Sequence, residues 1–136
     1  MLDAKNLRPA DPSQSVVLVV EDEVGILNVA RIALEREGYF VLTADNGQAA
    51  LHLSRMYPGE IHLLVTDIKM PHMGGVELTK RISIERPNTR IVLMSGNIIN
   101  EELDPKYLFL PKPFAPRKLT DAVKELVPVR QEPTLQ

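Results

Sequence analysis

The chain has 136 residues, a formal net charge of −2 and no cysteine. That length suits one domain with a sizeable core, the dispersed, nearly balanced charge shows no nucleic-acid-binding stripe, and the missing thiols exclude disulfides and thiolate metal sites. No apolar run approaches membrane-spanning length, and the polar N-terminus, broken by Pro9 and Pro12, lacks the apolar core of a signal peptide; a cytoplasmic location away from any membrane is expected.

In chain order, residues 1–14 read as a flexible leader. Val16-Val17-Leu18-Val19-Val20 is an unbroken β-branched run, the pattern of a strand covered on both faces, and it leads directly into Glu21-Asp22-Glu23. Apolar residues at Leu27, Ala30 and Leu34 mark a helix over 24–37 that stops at Gly38. Residues 39–44 read as a second strand, and Asn46-Gly47 opens a second helix that runs to Met56 and is closed by Pro58-Gly59. The third strand is Leu63-Leu64-Val65 with a single carboxylate, Asp67, at its exit. Gly74-Gly75 loosens the loop before a third helix, which carries Leu78 and Ile82 on one face and ends at Pro87.

Ile91-Val92-Leu93-Met94 is the fourth strand. Residues 97–106 must then hold a loop, a helix and another loop, whereas a mean helix alone takes about 11 to 12 residues, so the fourth helix is expected to be short, about two turns or less. Residues 107–110 form a short fifth strand. Pro116, Leu119, Val123 and Leu126 mark a last amphipathic helix with proline in its first turn, and 128–136 read as a flexible tail. This βα succession, without internal repeats, implies one α/β domain over 15–127. It is expected to be a doubly wound five-stranded parallel sheet of order 2-1-3-4-5, a flavodoxin-like three-layer sandwich with Val17, Val19, Leu64, Val65, Val92 and Leu93 in its core.

In such a sheet the first and third strands flank the switch point, where ligands collect at the carboxyl edge. Glu21, Asp22 and Asp67 would converge there, while Glu23 would meet the dipole of the first helix. Three carboxylates that close repel one another, and a hard cation such as Mg²⁺ relieves the repulsion. The fourth and fifth strands deliver Ser95 and Lys112 to the same edge. A hydroxyl and an ammonium beside a carboxylate and a cation can clamp phosphoryl oxygens, with Asp67 as the nucleophile that becomes an aspartyl phosphate. Taken singly, Asp67 could cap a turn, Ser95 could be a turn residue and Lys112 a solvated lysine; four strand ends in agreement favour the joint reading. His52, His62 and His72 are too scattered along the chain for a metal site.

Four motifs, Val19-Val20-Glu21-Asp22-Glu23, Thr66-Asp67-Ile68-Lys69-Met70-Pro71-His72-Met73-Gly74-Gly75, Met94-Ser95-Gly96 and Lys112-Pro113-Phe114, occur in this order. Together they resemble the receiver domain of the two-component response-regulator family over about 15–127. The resemblance implies that Asp67 accepts a phosphoryl group from a histidine kinase or histidine phosphotransfer protein, in a reaction the domain promotes itself without being an enzyme. It further implies that Glu21, Asp22, Asp67 and the Lys69 carbonyl hold Mg²⁺, that Ser95 and Lys112 contact the phosphoryl group, and that Phe109 is a switch aromatic read by a downstream protein. A cis bond between Lys112 and Pro113 is implied as well. The short fourth helix departs from the family pattern. Either a free-standing receiver or a receiver from a larger kinase or regulator fits.

Two other readings share the fold. A flavin carrier would need a hydroxyl- and glycine-rich phosphate loop after the first strand, where this chain has three acids. A phosphorylation-independent protein-binding module would keep the fold without the chemistry.

Overall fold

The computed structural model describes residues 11–96 and 104–129. Strands β1 (Val16–Val20), β2 (Phe40–Ala44), β3 (Leu63–Asp67), β4 (Arg90–Ser95) and β5 (Leu108–Pro111) are joined through helices α1 (Val24–Arg36), α2 (Gly47–Met56) and α3 (Gly75–Glu85), and α4 (Pro116–Leu126) follows β5. The strands form one sheet of order β2-β1-β3-β4-β5, parallel at every pairing. The short helix expected within 97–106 falls mainly on 97–103, outside the described residues, as do 1–10 of the leader and 130–136 of the tail. Among the described residues no helix is long and apolar enough to cross a membrane.

The two-residue period of a strand sorts each side chain into one of two apolar layers. Val16, Leu18 and Val20 of β1, Leu64 of β3, and Ile91 and Leu93 of β4 pack with Ala50, Leu51, Leu78 and Ile82 of α2 and α3. On the opposite face Val17, Val19, Leu63, Val65, Val92 and Met94 pack with Ala30 and Leu34 of α1 and Leu119 and Val123 of α4. The sheet is therefore covered on both sides, which is why β1 needs no polar alternation and its whole length is buried. All six residues expected in the core are fully buried, each stabilising the fold by roughly 1.5–3 kcal/mol.

Several element ends are secured by polar contacts. The Asn46 side chain caps α2 by accepting from the Ala49 amide at 2.8 Å, whereas Glu23 stands at the N-cap of α1 without a side-chain cap bond. Arg86, just past α3, donates to the Ser54, Tyr57 and Gly59 carbonyls at 2.7, 3.0 and 2.8 Å and to the Ser54 hydroxyl at 2.9 Å. One guanidinium thus satisfies carbonyls that α2 leaves unpaired at its C-terminus. Tyr39 donates from its hydroxyl to the Val127 carbonyl at 2.5 Å, and Val129 packs beyond it against the α1/α4 layer.

The loop after β3 is held by a close approach. A Cβ on Gly75 would collide with the backbone carbonyl of Asp67, and the Gly75 amide donates to Ile68 O at 2.8 Å. Gly75 is there because nothing larger fits, and not to loosen the loop as its pairing with Gly74 suggested. Overpacking of this kind typically costs about 1–3 kcal/mol. Gly75→Ala should therefore lower the unfolding free energy from urea titration by that order and shift the backbone NMR signals of Asp67 and Ile68; an unchanged stability would refute the contact.

Candidate functional site

The parallel order brings four strand exits together. β1 and β3 are neighbours, with Val20 paired to Thr66, so Glu21 and Asp22 leave the sheet beside Asp67. Asp67 itself pairs with Met94, and Ser95 pairs with Pro111, which puts Ser95 and Lys112 one step further along the same edge. The Ile68 amide donates to Met94 O at 2.9 Å and the Lys112 amide to Ser95 O at 2.8 Å, extending both ladders past the strands and fixing where these side chains emerge. The Lys112–Pro113 bond is cis.

Burial differs sharply among the acids. Glu21 is wholly buried and Asp67 is 7% exposed, whereas Asp22 is exposed. One oxygen from each of the three lies within 4.8 Å of the others. Lys112 reaches into this cluster: its Nζ lies 2.9 and 3.0 Å from the two carboxylate oxygens of Glu21 and 2.9 Å from Asp67 Oδ2. The other Asp67 oxygen, Oδ1, accepts from the Lys69 amide at 3.4 Å, and the Thr66 hydroxyl donates to the Asp67 carbonyl at 3.0 Å.

Burial pushes the Glu21 carboxyl up to about 7, and the Asp67 charge pushes the same way, while the hydrogen bond and charge of Lys112 pull it down. For Lys112 burial opposes the charged form, but hydrogen bonds and attraction to Glu21 and Asp67 outweigh it and hold the ammonium above its usual value. The cluster is therefore short of positive charge, and the described acids offer a donor set of carboxylate oxygens that suits a hard divalent cation.

Of the residues expected at the site, Glu21, Asp22, Asp67 and Lys112 are in one cluster, and buried Ser95 adjoins it through its backbone bond to Lys112. Lys69 stands in the loop two residues beyond Asp67 and contributes its amide. Phe109 is more remote, opposite Leu93 in the β4–β5 pair and 39% exposed. Its neighbours Leu108 and Leu110 face the α1/α4 layer, which leaves Phe109 on the other face of the sheet.

Reading the residues in order did not reveal the direct Lys112–Glu21 pair or the Gly75–Asp67 contact. The first had a signal: Glu21 continues a wholly apolar strand with no polar residue between, so its carboxylate is carried inward and needs a cation. Beside Lys112 a cleft of about 600 Å³ opens, lined by Ile26, Val29, Gly96, Pro113 and Phe114 among others.

Residues 17–124 match the family model described as the response regulator receiver domain. The sensor kinase CckA of Brucella abortus is 34% identical over 118 residues, which cover 83% of this chain and 12% of that protein. Sporulation initiation phosphotransferase F of Bacillus subtilis is 31% identical over 119 residues, 84% of this chain and 94% of its own. The chain thus corresponds to a small part of the first relative and nearly all of the second. Among solved structures, the receiver domain of the hybrid histidine kinase CckA superposes with a TM-score of 0.74 at 32% identity, over 83% of this chain and 99% of that one. The response regulator TrrA of Thermotoga maritima, in complex with Mg²⁺ and BeF, gives 0.70 at 28% identity, over 84% and 100%. With the family model spanning most of its length and the acidic cluster at its strand ends, the chain belongs to the response regulator receiver-domain family of two-component systems.

Proposed function

We propose that Asp67 is the phosphoacceptor and that the domain takes its phosphoryl group from a histidine kinase or histidine phosphotransfer protein. The observation that carries this reading is Lys112 Nζ at 2.9 Å from Asp67 Oδ2, at the open end of the switch point. An Asp67 oxygen attacks phosphorus, the P–O bond forms as the P–N bond of a phosphohistidine breaks, and the imidazole departs with the electron pair. Lys112 neutralises charge on a phosphoryl oxygen and the Ser95 hydroxyl donates to another. Glu21, Asp22, Asp67 and the Lys69 carbonyl would hold Mg²⁺, which when bound supplies positive charge to the phosphoryl oxygens.

The domain promotes its own phosphorylation and dephosphorylation and turns over no separate substrate, so we class it as a phosphoacceptor and not an enzyme. It acts in the cytoplasm, with a folded unit over 15–127. Acetyl phosphate with Mg²⁺ should add one phosphoryl group by intact mass, labile to hydroxylamine and absent from Asp67→Asn. Phosphate retained in that variant would point to another acceptor, and none in the unsubstituted protein would leave a phosphorylation-independent binding module.

The metal is tested separately. Asp22→Asn removes an exposed carboxylate that an amide cannot replace in charge, so it should weaken Mg²⁺ binding by about tenfold or more. Calorimetric titration checks this, and unchanged affinity would remove Asp22 from the donor set.

Output follows from a packing change. A phosphoryl group on Asp67 draws the Ser95 hydroxyl toward it, the backbone of Ser95 and Gly96 follows, and Phe109 rotates inward from its exposed position. The surface altered is Phe109 with α4, read by a downstream protein and not by nucleic acid. Backbone NMR with and without beryllofluoride should show shifts at Ser95, Phe109 and α4. Changes confined to the loop after β3 would mean that the domain only relays phosphate.

A further inference from the structure

Thr66 is the only polar residue of β3 before Asp67, and it is wholly buried. Its partners in the sheet are Val20 of β1 and Leu93 of β4, and the two-residue period turns it, like Leu64, toward the α2/α3 layer. A valine has nearly the same shape and would suit those apolar neighbours, whereas a buried hydroxyl is costly unless it is hydrogen-bonded. The Thr66 hydroxyl is bonded: it donates to the Asp67 carbonyl at 3.0 Å. The peptide group that receives this bond is held at its other end as well. Its amide, that of Ile68, donates to Met94 O at 2.9 Å, and the next carbonyl, Ile68 O, accepts from the Gly75 amide at 2.8 Å. Gly75 also closes on the Asp67 carbonyl so tightly that a Cβ there would collide with it. Removing the hydroxyl would leave a buried carbonyl short of that donor and the peptide plane free to tilt.

Resting on the phosphoacceptor reading above, we propose that Thr66 is a positioning residue for phosphoryl transfer: its hydroxyl fixes the peptide that follows Asp67, and with it the direction in which the Asp67 carboxylate leaves the strand. Successive side chains of a strand point to opposite faces, so the Asp67 carboxylate stands across the sheet from the Thr66 side chain. Thr66 therefore touches neither the phosphoryl group nor a cation and acts only through the backbone. What it holds in place is the carboxylate whose Oδ2 lies 2.9 Å from Lys112 Nζ. A misplacement of about 1 Å can slow a reaction by about a hundredfold, so a tilt of a fraction of that is enough to be read in a rate.

Two substitutions separate the hydroxyl from the shape. Thr66→Val keeps the shape and removes the donor, and Thr66→Ser keeps the donor and removes the methyl group. With acetyl phosphate and saturating Mg²⁺, followed by intact mass, Thr66→Val should be phosphorylated about tenfold more slowly and Thr66→Ser within about twofold of the unsubstituted protein. In the same proteins without any phosphoryl donor, the NMR signals of the Asp67 carboxylate carbon and the Ile68 amide should move in Thr66→Val and stay near their places in Thr66→Ser. A hydroxyl that served stability alone would make Thr66→Val easier to unfold in urea while leaving the rate and the carboxylate signal unchanged, and that result would overturn the proposal. Equal slowing in Thr66→Val and Thr66→Ser would overturn it too. Far-UV circular dichroism establishes that each variant is folded, and Thr66→Ala, which also lacks the hydroxyl, takes the place of Thr66→Val if that variant is not. No phosphoryl group on the unsubstituted protein would overturn the phosphoacceptor reading itself and this role with it, a result distinct from a rate that ignores the hydroxyl.

Discussion

The contact on which the site depends is a single ammonium held between two carboxylates at the mouth of a parallel sheet. Lys112 meets Glu21 and Asp67 where both are almost cut off from water. Removing one partner from a buried pair typically costs about 3–5 kcal/mol, because the survivor is left charged and unsolvated. That cost helps to hold the ends of β1, β3 and β5 together. Burial, only partly offset by Lys112 and reinforced by the Asp67 charge, holds the Glu21 carboxyl up to about 7.

Everything upstream of that contact is arrangement. Alternating side chains send one set of β-branched residues to α2 and α3 and the other to α1 and α4, and the order β2-β1-β3-β4-β5 makes β1 and β3 neighbours. The backbone bonds from Ile68 to Met94 and from Lys112 to Ser95 carry the register past the strands and into the loops. Gly75 then lets the first turn of α3 press against the Asp67 carbonyl, so Asp67 sits on a fixed strand end and not on a loose loop. Preorganisation of this kind is what phosphoryl transfer chiefly asks of a protein.

Much of this was legible in the residues. The buried strands are runs such as Val16–Val20 and Leu63–Asp67 that have no alternation to explain, and their acids stand at the exits. The cluster of Glu21, Asp22 and Asp67 follows from topology once the strand order is accepted. Strand limits shifted by one residue: Tyr39 lies outside β2, where its hydroxyl instead bonds the end of α4, and β5 begins at Leu108 rather than Tyr107. The Gly75 contact was illegible because a pair of glycines signals freedom and tight packing equally well. The Lys112–Glu21 pair spans 91 residues, and no local pattern encodes a charge partner so distant; only Glu21's inward position hinted at one. Glu23 reads as a capping acid, yet its side chain makes no cap bond.

The central claim is that Asp67, backed by Lys112, is where the phosphoryl group goes. The most direct measurement is a crystal structure of this chain grown with Mg²⁺ and beryllofluoride, an acyl-phosphate mimic. The predicted result is a trifluoroberyllate bonded to an Asp67 oxygen, a fluorine within reach of Lys112 Nζ, and a cation among Glu21, Asp22 and Asp67. Beryllofluoride on another carboxylate, or an Asp67 left bare with Lys112 still clamped on both acids under saturating ligand, would contradict it.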